Sequence, residues 1–215
     1  MRIRILLIMS LLLIDLFHAQ DSLNVKSSKT KIVAFSPSKN VKNVNGLLFK
    51  YFDEEGENFK PKKVNGLGMG VNFIGVFFPA MMLFSLPEAN KWNFESEGIA
   101  DKEKMNKING MQLSLINMEP TITNGLEFNI SGNIGSHAVT NGVAISPILN
   151  IHDEMKGVSV ATLANVGKKC RGLQIGIFNK CDDFRGVQIG WWNENEKRKL
   201  PLINWNFKAK KTKKS

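Results

Sequence analysis

Three clusters in this chain have the residue types that chemistry needs. His152-Asp153-Glu154 puts an imidazole beside two carboxylates, a set able to move protons or hold a cation. Asp182-Asp183 and Asp53-Glu54-Glu55 are runs of carboxylates, and a β-helical groove lined with such groups and basic residues can cleave acidic polysaccharides. No cluster is joined to a nucleophile. The chain has no Gly-x-Ser-x-Gly elbow, no His-Glu-x-x-His pair and no phosphate-binding loop, and all three clusters read equally as solvated acidic linkers. Cys170 and Cys181, taken with His137 and His152, make no metal-ligand spacing. The expectation is therefore no catalytic residue, no metal and no cofactor, with the two cysteines open to a disulfide or to two unpaired thiols.

Residues suited to surface contact are more regular than those suited to catalysis. Gln112, Gln174 and Gln188 occupy equivalent places in a repeated phrase, with Ser114, Ser159, Gly176 and Gly190 beside them. On the outside of a sheet they would form a flat, nearly uncharged face able to bind a cell-surface glycan or a second copy of the chain. Phe178, Trp191 and Trp192 cluster near one end. If Phe178 and Trp192 point outward they could stack on sugar rings or rest at a membrane interface; the alternative is packing beneath a C-terminal cap.

The elements that would position these side chains are short tandem repeats. Arg171-Gly172-Leu173-Gln174-Ile175-Gly176-Ile177-Phe178-Asn179 recurs 14 residues later as Arg185-Gly186-Val187-Gln188-Ile189-Gly190-Trp191-Trp192-Asn193. Weaker copies open at Gly110, Gly125, Gly142 and Gly157, so that from Gly110 to Gly186 the intervals are 15, 17, 15, 15 and 14 residues. Two more open at Asn45-Gly46 and Asn65-Gly66. Within each copy apolar residues alternate with small or polar ones, the period-2 pattern of a β-strand. The leading glycine tolerates positive φ and reads as a tight turn into the strand. An apolar residue two before it (Val44, Val64, Ile108, Met155, Cys170, Phe184) is expected on the core side as the chain rounds that corner.

The fold class is all-β. Identical connections at every repeat favour a parallel β-solenoid, in which the Leu/Ile stripe fills the interior and Asn179 and Asn193 join a ladder at a corner. An antiparallel meander or an outer-membrane β-barrel with a small polar lumen is the alternative. The segment Arg171–Phe207, RGLQIGIFNKCDDFRGVQIGWWNENEKRKLPLINWNF, resembles the tandem NGLQIGLFN-type surface-repeat proteins of Bacteroidota and Leptospira-like bacteria, and the likeness extends more weakly back to Asn45. The resemblance implies an exported, cell-surface or outer-membrane-associated protein of a Gram-negative bacterium, with no assigned activity and no catalytic residues to carry over.

The flanks agree with export. Arg2 and Arg4 precede an apolar run from Ile5 to Phe17, and Ala19 offers a small residue at a cleavage point, so residues 1–19 read as a signal peptide. Thirteen residues of helix reach about 20 Å, short of a roughly 30 Å hydrocarbon core. Residues 20–43 read as a flexible or edge-capping segment, 44–207 as the repeat domain with an apolar and charged insertion at about 74–107, and 208–215 as a basic disordered tail. The chain carries 29 Lys and Arg against 19 Asp and Glu. That excess suits anionic lipid or surface polysaccharide. It does not suit nucleic acid, because the basic residues lack interleaved aromatics.

Overall fold

The computed structural model describes residues 30–36, 41–51, 62–72, 77, 101–133 and 137–208. They form a ten-stranded sheet whose order follows the chain: β1 (Thr30–Ser36), β2 (Asn43–Lys50), β3 (Lys63–Gly70), β4 (Asn106–Asn117), β5 (Thr121–Asn133), β6 (Ala138–Ser146), β7 (Leu149–Ala161), β8 (Ala164–Ile175), β9 (Phe178–Asn195) and β10 (Lys199–Asn206). Strands β1 to β9 pair in parallel, each with the next. The fold is a parallel β-solenoid of about eight coils. Gly46, Gly66, Gly110, Gly125, Gly142, Gly157, Gly172 and Gly186 stack in one register column. Parallel pairing rules out the meander and the barrel, whose neighbouring strands run antiparallel. Only β10 turns back, pairing antiparallel with β9 and closing the last coil.

Two expectations need correction. The leading glycines are not turns. Gly110, Gly125, Gly142, Gly157, Gly172 and Gly186 lie inside strands, all with φ between 127° and 144°. They are glycine because of the stacking. A Cβ on Gly157 would collide with the carbonyl oxygen of Gly142, and one on Gly186 with that of Gly172, so each coil forbids a side chain in the next.

The second correction concerns which face is inside. Gln112, Gln174 and Gln188 are 1%, 2% and 0% exposed, and Ser114 and Ser159 are buried with them. The apolar residues between them face out: Met111, Ile175 and Ile189 are exposed, and Leu113, Leu126, Val143, Val158, Leu173 and Val187 are half-exposed. The reason is the missing corner. With the strand straight through glycine, side chains two apart share a face. Phe184, Gly186 and Gln188 therefore point in together, and Arg185, Val187 and Ile189 point out. The apolar residue two before the glycine does reach the core: Val44, Val64, Ile108, Met155, Cys170 and Phe184 are all buried. The interior is thus mixed: the column two before the glycines is largely apolar, and on the same face the column two after them carries Gln112, Glu127, Ser159, Gln174 and Gln188.

Within the segment 20–43, the described residues fit the edge-capping reading. Thr30–Ser36 forms β1, which pairs with β2 and adds a coil at the N-terminal end of the array. Asn43 already belongs to β2, and Asn106 and Lys107 to β4. Residues 1–19, most of the insertion and residues 209–215 lie outside the described residues.

Candidate functional site

Among the described residues, most groups that could do chemistry are held inside the coils or in ion pairs. His152 is buried, so the His152-Asp153-Glu154 cluster is not a single exposed site. Inside, His152 Nε2 stands 3.8 Å from Oε2 of Glu127, which is itself buried. Glu127 also accepts hydrogen bonds from Asn129 and Asn133 on β5 and from Thr140 on β6. Burial alone would raise the Glu127 carboxyl. His152, Thr140 and Asn129 outweigh that and hold it below the ordinary value of 4.5. Outside, Asp153 meets His137 Nδ1 at 2.6 Å and Lys168 at 3.2 Å, while Glu154 takes Lys102 at 2.9 Å. Burial would raise Glu154 too, yet Lys102, with Lys169 and Lys156 nearby, lowers it. Asp183 is bonded to Arg171 at 2.6 Å, and Asp182 is exposed. Asp53-Glu54-Glu55 lies outside the described residues. Among the described residues no three His, Cys, Asp or Glu side chains are grouped to hold a metal.

Cys170 and Cys181 are joined by a disulfide, with Cα atoms 6.3 Å apart. The bridge links neighbouring coils β8 and β9 within the cluster of Ala144, Met155 and Phe184. The expected Asn179–Asn193 bond is present at 2.8 Å. It belongs to an inner ladder running from Asn150 through Asn165 and Asn179 to Asn193, whose amides also donate to the carbonyls of Val160, Ile175 and Ile189. The amide ladder thus closes the coils of β7 to β9 at their corner. A second ladder, Asn45–Asn65–Asn109–Asn124–Asn141, runs beside the glycines with every step at 2.8 Å.

Among the described residues, the outward face of the sheet beside the glycines carries two apolar columns. Successive coils line up Leu47, Leu67, Met111, Leu126, Val143, Val158, Leu173 and Val187 in one column and Phe49, Met69, Leu113, Phe128, Ile145, Val160, Ile175 and Ile189 in the next. Antiparallel β10 extends both, setting Trp205 opposite Val187 and Ile203 opposite Ile189, with its own Asn204 and Asn206 turned inward. Phe178 and Trp192 are exposed at the edge of this face, with Trp191 beside them. Sequence reasoning missed the buried Glu127 and the pair Lys50–Glu119, 2.9 Å apart and also buried. Glu127 could have been found, since it stands in the glutamine column, two residues after Gly125. Among the described residues no helix is long and apolar enough to cross a membrane. Comparison with protein-family models, with curated proteins and with solved structures finds no match to the chain.

Proposed function

We propose that this is an exported, non-enzymatic repeat protein of the cell surface or outer membrane, acting as a structural or adhesive element. One observation carries the reading: among the described residues, apolar side chains line up in columns on the outward face of the sheet, over coil after coil. A soluble sheet normally hides its apolar face, and monomeric proteins rarely expose apolar patches beyond a few hundred Å². A face of this kind is built to be covered, so the molecule works by contact. The candidate acid–base groups support the same view, because Glu127, His152 and Asp153 are used in stabilising the coils. The resemblance of Arg171–Phe207 to surface-repeat proteins, and the apolar run behind Arg2 and Arg4, support export.

The glycan-binding reading loses the polar face it relied on, since Gln112, Gln174 and Gln188 point inward. Cell fractionation tests the proposal. The protein is expected in the envelope fraction, shortened at its N-terminus, and released intact by alkaline carbonate, because parallel coils do not span a bilayer as a barrel does. Recovery of the full-length chain from the cytosol would overturn it.

A further inference from the structure

We propose that the C-terminal end of the solenoid docks on an anionic phospholipid surface, with its exposed tryptophans at the headgroup–acyl boundary. The inference rests on the surface assignment above and names the partner. Apolar exposure is not spread evenly along the array. Ten of the seventeen exposed large apolar side chains among the described residues fall between Ile175 and Phe207. Trp191 is 72% exposed, Phe207 70%, Leu202 65% and Trp205 49%. They come together because β10 folds back on β9 and continues its outward columns.

Charge identifies the occupant. From Lys197 to Ser215 the sequence has eight basic residues and no acidic one. Lys197, Arg198, Lys199 and Lys208 are exposed on or beside β10, and the Arg198 guanidinium lies 4.5 Å from the Trp205 ring centroid. Lys199 is paired with Glu194 at 3.0 Å, and Glu196 is taken up by Asn206 and the Phe184 amide. A second protein is a poor match, because protein interfaces are depleted in lysine. Tryptophan and phenylalanine flanked by lysine and arginine are the composition of a surface that sits in a membrane interface and is drawn to negative headgroups.

The test uses the full chain with vesicles of phosphatidylcholine alone or with phosphatidylglycerol, some carrying bromine on the acyl chains. Bromine quenches only nearby tryptophan, so the tryptophan-free run Ile5–Phe17 stays silent. Flotation with the anionic vesicles, quenched emission and release by added salt are expected. Trp191→Ala with Trp205→Ala should cut vesicle partitioning by about tenfold or more. Replacing Lys208, Lys210, Lys211, Lys213 and Lys214 by Gln should abolish the preference for anionic vesicles. Ile32→Ala, at the opposite end of the array, should change neither. Equal binding to neutral vesicles would overturn the proposal, as would unquenched emission. A dimer in solution dissolved by the tryptophan substitutions would also do so, assigning the face to a second copy. No vesicle binding by a protein that still fractionates with the envelope sinks this inference alone; vesicle binding by a cytosolic protein sinks the surface assignment alone.

Discussion

Gly157 shows how a single residue type carries the repeat. Its φ of 127° and the carbonyl of Gly142 below it leave no room for a side chain. Gly157→Ala must strain the backbone or push neighbouring coils apart, and is expected to destabilise by at least about 1–3 kcal/mol, read as a fall in the urea midpoint. Glu127 makes a pH-dependent contribution. Its carboxyl is held below the value of 4.5 it would have in an unfolded chain. The stability it supplies is therefore complete above that value and lost as pH falls through the lower, folded one. A stability profile against pH is expected to drop in acid from about 4.5 downward. Glu127→Gln should lower stability near neutrality by about 1.5–3 kcal/mol, the range for hydrogen bonds to a charged group, and flatten the acid limb. An unchanged acid limb would remove Glu127 from the account.

At the scale of the strand, the amide ladders divide into one that matters for closure and one that does not. Asn165 is buried, donates to the Ile175 carbonyl at 2.8 Å and to Asn179 at 2.9 Å, and accepts from Ser159. Asn124 bonds only along its partly exposed outer ladder. Asn165→Ala strands buried groups and should cost on the order of 2–3 kcal/mol, whereas Asn124→Ala should cost less than about 1 kcal/mol by the same denaturation measurement. Register was readable, because every copy repeats the same glycine and the best-kept copies the same closing asparagine; those identical connections favoured parallel strands but left the antiparallel meander or barrel open. The sign of the sheet was not. Alternation tells which residues share a face, not which face is inside, and hydrophobicity argued for Leu173 and Ile175. The buried residue before the glycine held the answer: Phe184 and Gln188 are four apart and share a face once the strand runs straight through Gly186. Reading that glycine as a turn broke the parity. The capping strand was half legible, since Pro201 and the aromatics of 200–207 broke the repeat but did not reveal that Trp205 would face outward.

For the whole molecule, translation along one axis makes stability approximately a sum over coils and the contacts between neighbours. Whole coils should then be removable, and fractions of a coil should not. Deleting Gly157–Arg171 joins Lys156 to Gly172, one interval of 15 residues. Gly172 would then stack on Gly142, and Asn179 on Asn150, in the places the lost coil occupied. Because Cys170 leaves with that coil, the parent for comparison is Cys170→Ser with Cys181→Ser. Glu127 keeps His152 and Asp153 keeps His137, while the surface pairs Asp153–Lys168 and Asp183–Arg171 leave with the coil. The shortened protein is expected to keep a β-rich circular dichroism spectrum and one cooperative melt, with Tm lowered by about 2–8 °C for each kcal/mol lost. Deleting only Gly157–Ala164 joins Lys156 to Asn165 and brings every later glycine out of column, facing carbonyls with side chains and polar walls with apolar ones. That chain should fail to give a folded monomer. If both deletions fold equally well, the glycine column does not set the register, and the one-dimensional account of this solenoid is wrong.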